Sequence, residues 1–256
     1  MPAWPELLMV VIIGLCVGSF LNVCAYRLPL DESIVSPRSR CTSCGRTLTW
    51  FDNLPVLSWV ALRGRCRTCK QPVSWMYPAV EIVTALVFVI LYLTYGPTLL
   101  SLARAVFACA LIVLFITDLQ HKILPNVITL PGIVVGFVCS LFLPPGWVSS
   151  LIGLVVGGGF LLAIAEAYYR VRGQEGLGMG DVKLLAMIGA FLGWKLVLLT
   201  LVFASFTGSL AGGLLIASGR GNMKYALPFG TFLAVGALLA ATWGEPIADW
   251  YFGFYQ

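Results

Sequence analysis

Histidine occurs once in this 256-residue chain, and charge is scarce, with eleven acidic and sixteen basic residues making up 11% of the sequence. The single His121 argues against a histidine-based catalytic zinc, which takes more than one imidazole as a rule, and its neighbours suggest no nucleophilic triad. The low charge excludes an ordinary soluble domain, in which about a quarter of the residues are charged. Instead 59% of the residues are hydrophobic and the mean hydropathy is +0.94, more apolar surface than a soluble core of this length can bury. The excess must face lipid. The net charge of +5 does not indicate nucleic acid, because the charges sit between apolar runs, where they orient helices in a membrane. No basic segment precedes the apolar stretch from Leu7 to Tyr26 and no small-residue cleavage site follows before Arg27, so it reads as a permanent span, not a cleaved signal. Low-complexity tracts and clear repeats are absent too.

Apolar runs of spanning length fall at 5–26, 77–95, 98–117, 124–143, 149–169, 182–194, 196–217 and 227–243, against the ~20 residues a spanning helix needs. The runs are continuous and do not alternate, which favours helices over a barrel. The expectation is an all-α integral membrane protein of about eight transmembrane helices. Seven is the fallback if the short sixth run merges with the seventh through Gly193, Trp194 and Lys195. With the N-terminus outside, fourteen of the sixteen basic residues, including Arg220 and Lys224, lie on inner segments or their edges, and only Arg104 and Lys195 do not. The positive-inside rule therefore puts both termini outside and the polar 27–76 segment in the cytoplasm. Gly153 with Gly157, and Gly208 with Gly212, form small-x-x-x-small pairs suited to close helix packing.

The 27–76 segment is too short for a core of its own and needs a staple. It holds two C-x-x-C pairs, Cys41 with Cys44 and Cys66 with Cys69. Each pair can present two thiolates from a tight turn, and two such knuckles complete a tetrahedral four-cysteine zinc site. A cytoplasmic setting disfavours disulfides; reduced thiols or a redox pair are the competing readings. Four thiolates leave no open position for water, so such a zinc is structural. Cys16, Cys24, Cys109 and Cys139 lie in apolar runs and read as packing residues.

Among the few acids, Asp118 ends the third run and Asp181 opens the sixth, both at the cytoplasmic boundary of this topology. Taken singly, each reads as a solvated helix end, Asp181 as a cap for a helix starting at Val182. Together at one face, with Gly176, Gly178 and Gly180 leading into Asp181, they suit peptide hydrolysis. Two carboxylates sharing a site hold one proton between them; one activates water while the other polarises the carbonyl. The alternative is a transporter with Asp118 and Asp181 as proton or cation sites. Glu81 reads first as an acid favoured at a helix N-terminus, with a substrate or a basic partner as the alternative, Glu166 as the i,i+4 partner of Arg170, and Glu175 as a solvated loop charge.

An ordered series of motifs runs over most of the chain: Gly18-Ser-Phe-Leu-Asn-Val-Cys-Ala-Tyr-Arg-Leu-Pro29, Cys41-Thr-Ser-Cys44, Asp52-Asn-Leu-Pro-Val-Leu-Ser-Trp59, Arg63-Gly-Arg-Cys-Arg-Thr-Cys69, Tyr77-Pro-Ala-Val-Glu81, Asp118 seven residues before Pro125, Gly178-Met-Gly-Asp181-Val-Lys-Leu-Leu185, Gly189-Ala-Phe-Leu-Gly-Trp194 and Leu227-Pro-Phe-Gly230. This series resembles the bacterial type IV prepilin peptidases, G-x-G-D aspartic proteases that are bifunctional leader peptidases and N-methyltransferases. The resemblance implies Asp118 and Asp181 as the catalytic pair, prepilins or type II secretion pseudopilins as substrates, cleavage at the cytoplasmic face of the bacterial inner membrane with both termini periplasmic, and S-adenosylmethionine as methyl donor. It divides the chain into a first helix at 1–26, a four-cysteine zinc loop at 27–76 linked to methylation, and a polytopic peptidase domain at 77–256. Membrane lipids are the surrounding partner and no nucleic acid is expected. Preflagellin and presenilin-like proteases are the nearest rivals; the cysteine loop and the opening motif argue against them.

Overall fold

The computed structural model describes residues 4–173, 178–218 and 227–253, the last three by backbone alone. Glu175, Gly176, Arg220 and Lys224 lie outside the described residues. Among the described residues the secondary structure is helical apart from two isolated β-bridges. The helices are α1 (Trp4–Arg27), α2 (Leu57–Ala61), α3 (Met76–Tyr95), α4 (Leu99–His121), α5 (Asn126–Ser140), α6 (Trp147–Arg172), α7 (Met179–Ala217) and α8 (Phe229–Gly253). The chain divides into two compact units, Met1–Ala105 and Val106–Gln256.

In the first unit α1 and α3 pack antiparallel. The Tyr92 hydroxyl donates to Glu6 over 2.7 Å at one end, and the Asn22 amide donates to the Tyr77 carbonyl over 3.0 Å at the other. Between these points Gly14 and Gly18 let the axes approach. A Cβ on Gly14 would lie 2.6 Å from the Ala85 Cα, and one on Gly18 2.6 Å from the Glu81 Cα. Without a hydrophobic drive between helices in lipid, such close approach is the main source of attraction. Arg27, counted above among the inward-orienting charges, is buried; it donates to the Ser33 and Pro37 carbonyls over 2.8 and 2.7 Å and so fixes the entry into the loop.

In the second unit α7 lies between α5, α6 and α8. It is two helical segments joined at Gly193, whose φ of 77° and ψ of 178° break the helix. A Cβ on Gly157 of α6 would meet both the Leu185 carbonyl, 2.7 Å away, and Val197, 3.1 Å away. Twelve residues of continuous helix would span about 18 Å, so the chain doubles back at Gly193. Gly153 faces the backbone of Gly189 and Gly193, while Gly208 and Gly212 face Phe232 and Leu227. Both glycine pairs therefore serve packing.

Among the described residues six helices, α1, α3, α4, α6, α7 and α8, are long and apolar enough to cross a membrane, against about eight expected crossings. Two runs account for the difference by their length, although each still runs opposite in direction to α6: Gly132 and Gly136 face Met187 and Phe191, and Gly157 and Gly153 face Leu185 and Gly189. The fourth forms α5, whose 15 residues reach only about 22 Å against a hydrocarbon core of about 30 Å. The sixth and seventh belong to the single element α7. Its first segment, residues 179–192, is too short to span but is enclosed by protein: Leu184, Leu185, Met187, Ile188 and Ala190 are wholly buried. These residues need not match the lipid, so the length rule does not govern them.

Candidate functional site

The two aspartates meet in the second unit. Helix α4 continues to His121, so Asp118 sits inside its last turn and not beyond its end, and it is buried, with 5% of its surface exposed. Helix α7 begins at Met179, capped by Gly178, so Asp181 lies in the first turn and does not cap it. The start of α8 comes between them. A Cβ placed on Gly230 would lie 3.0 Å from Asp118 Oδ2 and 3.1 Å from Asp181 Oδ1, so both carboxylates reach one point. The first N–H groups of a helix have no partner within it, and here two successive ones serve the acids. The Gly230 N–H donates to Asp181, and the Thr231 N–H donates to Asp118 Oδ2 over 2.6 Å. The Thr231 hydroxyl adds a second bond to that oxygen at 2.9 Å. The positive end of the α8 dipole also favours negative charge here. A Cβ on Gly180 would lie 3.0 Å from Leu124, so that glycine lets the segment after Asp118 approach the G-x-G-D turn; Lys183 donates to Asn126 across the same approach over 2.9 Å. Two acids brought this close beside Gly230, each held by neutral hydrogen-bond donors, can grip a water molecule between them.

The four cysteines of the 27–76 segment meet in the first unit. The two C-x-x-C turns have the same geometry. Cys41 N–H donates to Arg46 O and Gly45 N–H to Cys41 O, both at 2.9 Å; Cys66 N–H donates to Gln71 O at 2.9 Å and Lys70 N–H to Cys66 O at 3.1 Å. A left-handed residue closes each turn, Gly45 at φ 71° and Lys70 at φ 59°. The four Sγ atoms lie within 4.8 Å of one another, near the ~3.8 Å separation of thiolates around a tetrahedral zinc, and no disulfide joins them. Backbone N–H groups of Cys69 and Thr68 pull the Cys66 thiol down to about 6. The Gln71 N–H favours the Cys69 thiolate, but burial and the neighbouring sulfurs push that thiol up to about 11. Four sulfurs this close do not all become anionic without a cation among them, so the donor set fits a metal ion. Asp52 pins the two turns together. Its buried carboxylate accepts from Arg67 of the second turn over 2.8 Å and lies 3.7 Å from Arg46 of the first. Arg46 also donates to Thr68.

Comparison with known proteins follows the same division. The description "Bacterial Peptidase A24 N-terminal domain" matches residues 12–95, and "Type IV leader peptidase family" matches residues 105–213. A prepilin leader peptidase/N-methyltransferase of Pseudomonas putida is 37% identical over 92% of this chain and 90% of its own length. The chain belongs to the prepilin leader peptidase/N-methyltransferase family. A member from Aeromonas hydrophila is 35% identical over 97% of this chain and 94% of its own length. One from Myxococcus xanthus (strain DK1622) is 44% identical over 83% of this chain, which spans only 64% of that longer relative. No solved structure matches.

Within this family frame, two residues differ from the sequence reading. Thr231 was not singled out, although the Leu227-Pro-Phe-Gly230 motif ends beside it; a glycine and a hydroxyl residue opening the last apolar run are the available signal. Glu81 is not a helix-end acid. It is the sixth residue of α3, buried to 7% exposure, and accepts the Val56 N–H over 2.7 Å. Val56 has φ 59° and ψ −48°, a conformation that costs a β-branched residue roughly 1–3 kcal/mol. Glu166, by contrast, pairs with Arg170 over 2.7 Å as the i,i+4 spacing implied.

Proposed function

We propose that this chain removes the short basic leader of type IV prepilins or type II secretion pseudopilins, with Asp118 and Asp181 as the catalytic pair, and then methylates the new N-terminal residue. The convergence of the two carboxylates on one point beside Gly230 carries the peptidase reading. In the proposed cycle the pair holds one proton and one water. The ionised carboxylate takes a proton from the water as its oxygen attacks the scissile carbonyl carbon, and the other gives its proton to the carbonyl oxygen. The tetrahedral intermediate then collapses, the C–N bond breaks, and the leaving nitrogen takes up a proton from the pair. Thr231 and Gly230 orient the acids throughout. The pair titrates as a unit, so neither acid alone is the base.

Residues 27–76 form a zinc loop in this reading, with Cys41, Cys44, Cys66 and Cys69 as ligands and no part in hydrolysis, and residues 77–256 the membrane peptidase. S-adenosylmethionine supplies the methyl group. The positive-inside distribution supports placement in the bacterial inner membrane with periplasmic termini and the acids at the cytoplasmic face. Incubating a prepilin with purified enzyme and methyl donor, then weighing the product's N-terminus, tests both activities together. Asp118→Asn and Asp181→Asn should each abolish cleavage in protein that still inserts; processing by a well-folded Asp181→Asn protein refutes the pair. About one zinc should accompany each chain, and gently prepared protein without metal refutes the four-thiolate centre.

A further inference from the structure

The first unit contains a cavity of about 660 Å³ bounded by α1, α3 and the two cysteine turns, within the 300–1,000 Å³ typical of small-molecule sites. Part of its polar lining is committed to the fold. Asp52 is taken up by Arg46 and Arg67, Arg27 by backbone carbonyls, and the Trp59 indole N–H by the Val73 carbonyl at 3.1 Å. Glu81 differs. It lines the cavity, it is buried, and the groups that bond its carboxylate are the Val56 N–H and the Ser19 hydroxyl, neither of which carries charge. A buried carboxylate is stable with a cation beside it and costly without one. Its position is nevertheless tightly built: Gly18 admits α1 against the Glu81 backbone, and the unfavourable Val56 conformation aims an N–H at the acid. Tyr26, Trp59 and Tyr77 also line the cavity. Aromatic rings attract cations over their faces and stack on flat heterocycles.

We propose that this cavity is the binding site for S-adenosylmethionine, with Glu81 facing the donor's cationic sulfonium and α-ammonium end and the aromatic wall receiving its adenine. The proposal rests on the methyltransferase reading above and gives that activity a place. The donor's chemistry is transfer of its methyl carbon to a neutral amine: a C–N bond forms, the S–CH3 bond breaks with its electron pair left on sulfur, and the nitrogen releases a proton to water. Binding a cation against Glu81 supplies the charge partner that the fold omits.

The test uses the full chain in detergent. Tritiated S-adenosylmethionine is photocrosslinked and the labelled peptides mapped, and S-adenosylhomocysteine binding is measured by calorimetry. Label should fall on peptides within residues 19–81. Glu81→Gln, which keeps an acceptor for Val56, should weaken donor binding at least tenfold as read by competition against the label, and Glu81→Asp should recover part of that loss. Circular dichroism and gel-filtration elution establish that the variants are folded. Label confined to peptides beyond residue 105, or donor affinity unchanged in Glu81→Gln, overturns the cavity assignment while methylation by the parent enzyme leaves the underlying reading standing. A parent enzyme that neither binds the donor nor methylates its product overturns both.

Discussion

Gly230→Ala separates the chemistry of the acid pair from the stability of the fold. The added Cβ would lie 2.9 Å from Leu124 Cδ1, 3.0 Å from Asp118 Oδ2 and 3.1 Å from Asp181 Oδ1. Contacts this short force small shifts, and overpacking of this kind costs about 1–3 kcal/mol. Alanine in place of glycine within a helix returns about 1 kcal/mol. The net loss of about 0–2 kcal/mol is small against the ~5–15 kcal/mol that keeps a typical domain folded, so the variant should insert and fold. Its activity should not survive, because the methyl group crowds an oxygen of each carboxylate and pushes the pair out of the geometry in which the two acids share a water. Positioned acid–base catalysis is worth roughly 10²–10⁴-fold, and cleavage should fall by that order. The assay is a time course of prepilin cleavage by purified protein, with Gly213→Ala as the control, since a Cβ there meets nothing within 4 Å. Cleavage by Gly230→Ala within about threefold of the Gly213→Ala rate would refute the need for both acids to close on Gly230.

Thr231→Val removes the hydroxyl bond to Asp118 Oδ2 but keeps the backbone N–H bond. A hydrogen bond to a charged group is worth about 1.5–3 kcal/mol, so kcat for cleavage should drop roughly 10–100-fold with KM nearly unchanged, and Thr231→Ser should restore it; steady-state kinetics reads both. Asp52→Asn should loosen the cysteine loop, seen as faster zinc loss to a chelator. Burial opposes ionisation of Asp52, but hydrogen bonds from Arg67 and Thr49 outweigh it and hold the carboxyl below its ordinary value of 3.8. A depressed folded value means that its stabilisation is complete above the unfolded value and is lost as pH falls through the folded one. The difference in loop stability between parent and Asp52→Asn, followed by tryptophan fluorescence, should therefore be constant from pH 7 to pH 5 and shrink below about pH 4. A difference that grows on acidification contradicts the assignment.

The apolar runs and the two C-x-x-C pairs were legible because each follows from local rules: lipid demands continuous hydrophobicity, and a metal demands two ligands per turn. The count of spans was less legible. Gly193 looks like any glycine in an apolar run, and only its positive φ and the shared contact of Leu185 and Val197 with Gly157 show that the chain reverses there. Burial explains why hydropathy misleads at this point, since residues 179–192 are apolar because protein surrounds them. Asp118 and Asp181 were visible as rare acids at run ends, but the donors that hold them were not. Gly230 and Thr231 are 112 and 113 residues from Asp118, and no local pattern predicts such a contact. Glu81 was misread for a similar reason, because its partner Val56 lies 25 residues away, between the two C-x-x-C pairs.

The way each acid is held divides the acids by role. Asp52 is met by two arginines, which neutralise it and commit it to joining the two cysteine turns. Asp118, Asp181 and Glu81 take hydrogen bonds from backbone N–H groups instead: those of Thr231, Gly230 and Val56. An amide dipole offsets part of the cost of burying a carboxylate and fixes its direction, yet carries no net charge. A carboxylate held in this way can still exchange a proton or meet an incoming cation, which an arginine pair would prevent. Introducing an arginine beside Asp181 or Glu81 should therefore leave the fold sound while silencing cleavage in the first case and donor binding in the second. The same change near Asp52 would only add a third partner to an acid already committed to structure.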